Sequence, residues 1–270
     1  MLKIAFLNLM PDKEVTEANF ARAFSASEEP VEFVLTRMGS HVSRHCSEDH
    51  MQLYRTTEEV CRAHDEGTCL LDGWVWTGAP LDYVPFEEVD YWSEACRLMD
   101  WLRARRLPSL YVCWGAQAAL HYFHGVGRHE VLPHKLSGVY PQQVTDEQHP
   151  LFEGVRWPLC IPHSRHTTMN DDEIDQLPAV RALARSSRSG ISIMECCDGL
   201  EFYLAGHQEY ALGTLDAEYR RDTGRGLNVQ VPENYYYDDD PAKGIHDTWQ
   251  LNGLRVYANW VKHYCMHAGH

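Results

Sequence analysis

The stretch SLYVCWGAQAAL, from Ser109 to Leu120, most constrains what this chain can fold into. Residues of strand character run into Cys113, and the small residues Gly115, Ala116, Ala118 and Ala119 follow at once with helical spacing. A strand that passes straight into a helix marks a crossover unit of a parallel sheet. Short apolar strands are expected also at residues 2–8, 31–35 and 72–77, with helices at 16–25, 91–105 and 115–124. Thr16 reads as the cap of the first helix. Residues 37–55 are polar and rich in histidine, and read as a loop leading into helix. Further strands are expected at 139–144, 192–195 and 202–205, and helices at 211–221 and 253–264. No Pro/Gly linker or repeat interrupts the pattern. The expected architecture is a single α/β domain over residues 1–270, an open, mostly parallel sheet flanked by helices.

A net charge of −15 leaves no basic face for a nucleic-acid partner. No apolar run approaches the roughly 20 residues a membrane span needs. The opening MLKIAFLNLM reads as a buried first strand rather than a secretion signal, because its apolar part is short and no small-residue cleavage site follows. Nine cysteines, an odd number with no CxxC pair, fit the reduced thiols of the cytoplasm.

Open parallel sheets bind ligands beyond the carboxyl ends of their strands. Three loops leave such ends: residues 77–80, 113–115 and 206–210. Cys113 has two readings, a packed core thiol or a nucleophile on a sharp strand-to-helix elbow. In the second, the helix N-terminus favours the thiolate, and the Trp114 backbone N–H faces a developing oxyanion. The loop GHQEY supplies His207 as a base and Glu209 to orient it. Gly78 and Ala79 of the TGAP turn stand where a second oxyanion donor belongs; an ordinary tight turn explains the same residues.

Taken together, NLMP at 8–11, TGAP at 77–80, CWGAQAAL at 113–120, HKLSGVY at 134–140, PHSR at 162–165, GHQEY at 206–210 and EYRRD at 218–222 resemble the homoserine O-acyltransferases of bacterial methionine biosynthesis. The family meant is the one with a class I glutamine amidotransferase-like (flavodoxin-like) fold. The resemblance covers nearly the whole chain in order. It implies a ping-pong reaction in which Cys113 takes the acyl group of acyl-CoA as a thioester, with His207 as base and Glu209 behind it. It also implies Lys135, Ser164 and Arg221 as substrate-binding residues. Lysine and arginine suit the acceptor's carboxylate, and Glu218 suits its ammonium group. The position that sets the acyl donor falls on Asp82, whose charge disfavours the distal carboxylate of a succinyl group, so acetyl-CoA is the expected co-substrate. A homodimer is implied by the resemblance alone, with no metal or other cofactor.

The sequence departs from the family's pattern in places. Leu2 opens the first strand directly, Ser43-Arg44-His45-Cys46 replaces Ser-Lys-Asn-Thr, Asp49-His50 replaces Glu-His, and the proline before Trp249 is missing. These changes leave the acceptor open between homoserine and serine. A glutamine amidotransferase subunit shares the Cys and His-x-Glu layout, and a binding protein on the same scaffold is the non-enzymatic rival. Two histidine pairs, His163/His166 and His121/His124, have spacing compatible with a metal but lack a further ligand. Arg103, Arg105 and Arg106 read as complements of a helix C-terminus, with CoA phosphate as the alternative.

Overall fold

A computed structural model describes residues 1–41 and 46–266, excluding the side chains of 128–130. The first half alternates strand and helix: β1 (Leu2–Leu7), α1 (Lys13–Phe24), β2 (Val31–Arg37), α2 (Glu48–Met51), β3 (Arg55–Thr56), α3 (Thr57–Asp65), β4 (Gly73–Trp76), α4 (Trp92–Ala104), β5 (Ser109–Val112) and α5 (Trp114–His124). The second half is richer in strand: β6 (Arg128–Pro141), β7 (Gln143–Val144), β8 (Cys160–Met169), α6 (Asp171–Asp175), β9 (Val180–Ser186), β10 (Gly190–Cys196), β11 (Glu201–Leu204), α7 (Thr214–Gly224) and α8 (Gln250–Trp260).

Nine strands form one sheet in the order β3-β2-β1-β4-β5-β11-β10-β9-β7. From β3 to β11 every pairing is parallel; β10, β9 and β7 add an antiparallel margin. The expected mostly parallel sheet is thus observed. Its central strands are buried on both faces, as helices on each side require. Ile4, Phe6, Val75, Leu110, Val112, Phe202 and Leu204 point into one core with Phe20, Tyr257 and Trp260 of α1 and α8. Ala5, Leu7, Trp74, Trp76, Tyr111 and Tyr203 alternate into the opposite core against α4 and α5.

Several local expectations need correction. Helix α1 begins at Lys13, capped by the Asp12 carboxylate, which accepts from the Val15 N–H at 3.3 Å. Thr16 therefore lies inside the first turn, where its hydroxyl donates to the Asp12 carbonyl. The region 37–55 holds α2 and β3, and α3 follows behind a capping box of Thr56 and Glu59. The PHSR motif, to which the pattern assigned no element, lies in the middle of β8, which pairs antiparallel with the long β6 as a separate ribbon. Of the departures from the family pattern, positions 43–45 lie outside the described residues. Among the described residues no helix is long and apolar enough to cross a membrane.

Sheet order runs outward in both directions from the β1–β4 pair, so the ends of those strands form the switch point where such sheets hold ligands. A cavity of about 180 Å³ lies there, lined among others by Asn8, Met10, Lys13, Ala79 and Tyr91.

Candidate active site

Cys113 occupies the elbow between β5 and α5, with φ 51° and ψ −115°. L-residues rarely adopt this conformation, and such strain concentrates at functional positions. Neighbouring glycines allow the turn to sit so close to its surroundings. A Cβ on Gly115 would lie 2.8 Å from Trp76 Cδ1 and 2.9 Å from the Thr77 carbonyl oxygen. A Cβ on Gly78 would lie 3.2 Å from Cys113 Cβ and 3.7 Å from the Trp114 nitrogen. The loop carrying Gly78 and Ala79 is therefore packed against Cys113.

His207 follows β11, the neighbour of β5, and its ring lies in electrostatic reach of the Cys113 thiol. Its Nδ1 meets Glu209 Oε1 at 2.7 Å, and the Tyr257 hydroxyl donates to Glu209 Oε2 at 3.0 Å. All three side chains are buried. Burial alone would lower the His207 pKa, but Glu209 and then Cys113 outweigh it and hold the imidazolium well above its ordinary range. The loop is fixed from beneath. Arg22 of α1 donates to the Glu209 and Tyr210 carbonyls, at 2.7 and 2.9 Å. The Trp249 indole donates to the Tyr210 carbonyl at 2.9 Å. The His207 N–H donates to the Pro162 carbonyl at 2.7 Å, joining the loop to β8.

Of the expected substrate-binding residues, Lys135 and Ser164 converge on Glu218, while Arg221 turns to Asp222. Lys135 Nζ lies 2.8 Å from Glu218 and 3.5 Å from Asp222, the Ser164 hydroxyl donates to Glu218 at 2.5 Å, and Arg221 pairs with Asp222 at 2.8 Å. Burial tends to raise the Glu218 carboxyl, but Lys135, Ser164 and His207 overcome this and keep it below the usual range. Tyr210 joins the two groups. Its ring stacks on His207 with centroids 4.2 Å apart, and its hydroxyl donates to Glu218 at 3.0 Å. GHQEY contained this residue, but nothing in the sequence distinguished a bridging tyrosine from a core one.

Asp82 accepts from the His166 N–H at 3.2 Å and the Thr167 hydroxyl at 3.4 Å. Thr167 also donates to Gln117, whose N–H meets the Cys113 carbonyl. Asp82 is therefore tied to the first turn of α5. The fully buried Arg165, in electrostatic reach of both Cys113 and Asp82, donates to the Ser189 carbonyl at 2.5 Å.

Other residues serve the scaffold. Arg103 grips Glu201 with two hydrogen bonds and stacks on Phe123, at the end of the sheet opposite Cys113; Arg105 pairs with Asp65. His163 and His166 fall on opposite faces of β8, which separates that pair as metal ligands. His163 is buried against Ser192, and His121 pairs with Glu87. Tyr235 and Tyr236 of the acidic run are buried and hold α7 through Leu212 and Asp216, while Asp238 and Asp239 face solvent.

A thiol, imidazole and carboxylate at the carboxyl end of a doubly wound sheet define the class I glutamine amidotransferase-like architecture. Solved structures agree on the fold: a glutamine amidotransferase from Thermotoga maritima matches with a TM-score of 0.60 at 10% identity over 97% of each chain. Another from Methylobacillus flagellatus matches with 0.57 at 14% identity, over 97% of this chain and 94% of that one. Within this architecture the chain belongs to the family described as homoserine O-succinyltransferase, whose model matches residues 1–270. Relatives carry a different acyl group in their names. Homoserine O-acetyltransferases of Brevibacillus brevis and Bacteroides thetaiotaomicron are 39% and 37% identical, each over 97% of this chain and 84% of theirs. One from Desulfovibrio desulfuricans is 38% identical over 97% of this chain and 82% of its own.

Proposed function

We propose that the protein transfers an acetyl group from acetyl-CoA to the side-chain hydroxyl of L-homoserine, as a step of methionine biosynthesis. One observation carries the reading: through Tyr210, the Cys113–His207–Glu209 group is joined to a carboxylate–ammonium pair, Glu218 and Lys135, suited to the charged ends of an amino acid. A glutamine amidotransferase has the same triad, but the family and its acetyltransferase relatives favour acyl transfer.

In this scheme the acyl donor enters from the switch-point cavity beside Ala79. The Cys113 thiolate attacks the thioester carbonyl, while the Trp114 N–H and the Gly78–Ala79 loop receive the oxyanion. Collapse expels CoA, whose sulfur takes the proton from His207, and leaves an acetyl thioester on Cys113. The acceptor then binds with its ammonium toward Glu218 and its carboxylate toward Lys135 and Arg221. His207 removes the hydroxyl proton as the oxygen attacks, and the ester leaves with Cys113 restored. The charge of Asp82 and the names of the relatives favour acetyl over succinyl.

The test is CoA release from acetyl-CoA or succinyl-CoA, each with L-homoserine or L-serine, beside a Cys113→Ala control. Release with acetyl-CoA and homoserine, lost in the control, is expected. Preference for succinyl-CoA or serine corrects the substrate; no release with any pair overturns the reading.

A further inference from the structure

Cys196 and Cys197 are adjacent, and their sulfurs lie 3.1 Å apart. This is unusual for neighbours at the end of a strand, where successive side chains point to opposite faces. The backbone explains it. Cys196 ends β10, and Cys197, Asp198 and Gly199 all take positive φ, at 57°, 56° and 83°. A left-handed residue directly after the strand breaks the alternation and returns the second sulfur to the side of the first.

Cys196 is buried, while Cys197 beside it is half-buried. Both cysteines line an open groove with His149, Arg181, Glu195 and Tyr264. The register places the groove away from the proposed chemistry, because Glu201 pairs with Ser109 at the start of β5 whereas Cys113 follows its end. Four residues of strand, about 13 Å, separate the two levels.

His124 and Glu201 approach Cys196 closely enough to suggest a metal cluster. Two facts weigh against it. Both Glu201 oxygens accept from the Arg103 guanidinium, so a fixed positive charge faces any incoming cation. Burial, followed by Cys197 and Glu201, also pushes the Cys196 thiol up to about 12, against the thiolate a metal requires. Two sulfurs already in contact beside a groove are placed to close on each other, and the Arg103 charge does not oppose that bond.

We propose that Cys196 and Cys197 form a dithiol modification site that closes to a disulfide when a low-molecular-weight disulfide enters the groove. The Cys197 thiolate attacks one sulfur of the small disulfide, expels one thiolate and becomes a mixed disulfide. Cys196, its proton passing to water, then attacks the Cys197 sulfur and expels the second thiol. Two protein thiols are oxidised and one small disulfide is reduced to two thiols, so electrons balance. Adjacent Cα atoms lie about 3.8 Å apart, closer than ordinary disulfides prefer, so the ring is strained and excess thiol reopens it.

The test treats the folded full-length protein with oxidised glutathione, then denatures it, alkylates free thiols and digests with trypsin without reduction. Residues 189–220 form one peptide whose only cysteines are 196 and 197. The expected product is that peptide released unlinked, two hydrogens lighter, with neither alkyl label nor glutathione on most molecules. Dithiothreitol should restore both alkylation sites. In Cys196→Ser, glutathione should remain on Cys197. Alkylation of both cysteines after treatment, or glutathione retained in the unsubstituted protein, would overturn the proposal. Neither outcome depends on which acyl group or acceptor the enzyme uses.

Discussion

Glu209→Gln tests whether this carboxylate works by charge rather than by shape. The amide fills nearly the same volume, so the buried contacts to His207 and Tyr257 keep their geometry, and only the negative charge disappears. A hydrogen bond to a charged group is worth about 1.5–3 kcal/mol. At 1.36 kcal/mol per factor of ten, losing it from the reacting state predicts a fall in kcat/KM of about 10- to 150-fold. The pH profile gives an independent readout. Glu209 is the larger of the two charges that hold the His207 pKa up. Without it the imidazolium loses its proton at lower pH, so the alkaline limb of kcat/KM for the acyl donor must move toward acid. The assay is CoA release between pH 6 and roughly 10, a range that brackets ordinary His and Cys titration, with circular dichroism to verify folding. A variant that keeps its fold, retains kcat/KM within about twofold and shows an unmoved alkaline limb would refute the assigned role.

Three further substitutions separate the parts of the site. Glu218→Gln removes the anchor shared by Lys135, Ser164 and Tyr210; kcat/KM for the amino-acid acceptor should fall about 100-fold, the size of one lost charged contact, while a stopped-flow burst of CoA from donor alone persists. Gly206→Ala places a Cβ 2.4 Å from Ile161 Cγ2 and 2.8 Å from the Pro162 carbonyl oxygen. It should displace the His207 loop, cost about 1–3 kcal/mol in urea unfolding and lower kcat with little change in donor KM. Arg103→Ala strands the buried Glu201 carboxylate and should destabilise by about 3 kcal/mol in the same measurement. Its KM for acyl-CoA should be unchanged; a large rise would reinstate Arg103 as a phosphate contact.

How much could be read beforehand differs between the two halves. The parallel strands β1, β4 and β5 are short apolar runs, and the elbow at Cys113 has small residues immediately beyond it, so composition and order agree. The β6–β8 ribbon has no such signature. Lys135 and Ser164 sit on strands whose polar residues face a site rather than a core, and Pro162 within β8 argues locally against a strand. A helix after residue 55 was legible and is observed as α3, where Thr56 and Glu59 form a capping box in plain sequence; its bounds were not, because polar residues surround its buried stripe of Thr57, Val60 and Ala63. The bridging role of Tyr210 was not legible. It depends on α7 packing its Glu218 against a loop that precedes it by only a few residues, a tertiary fact without a local pattern.

The backbone at Cys113 carries a consequence for how such a protein changes over generations. Its φ of 51° and ψ of −115° suit glycine, and no other residue takes them without strain of roughly 1–3 kcal/mol. The thiol therefore stands at a position where the fold itself prefers its absence. A Cys113→Gly lineage would lose the proposed nucleophile while relaxing the turn, so on that reading the step from enzyme to inert scaffold is downhill in backbone energy. On the proposed role of Cys113, the reaction it performs is what offsets that strain.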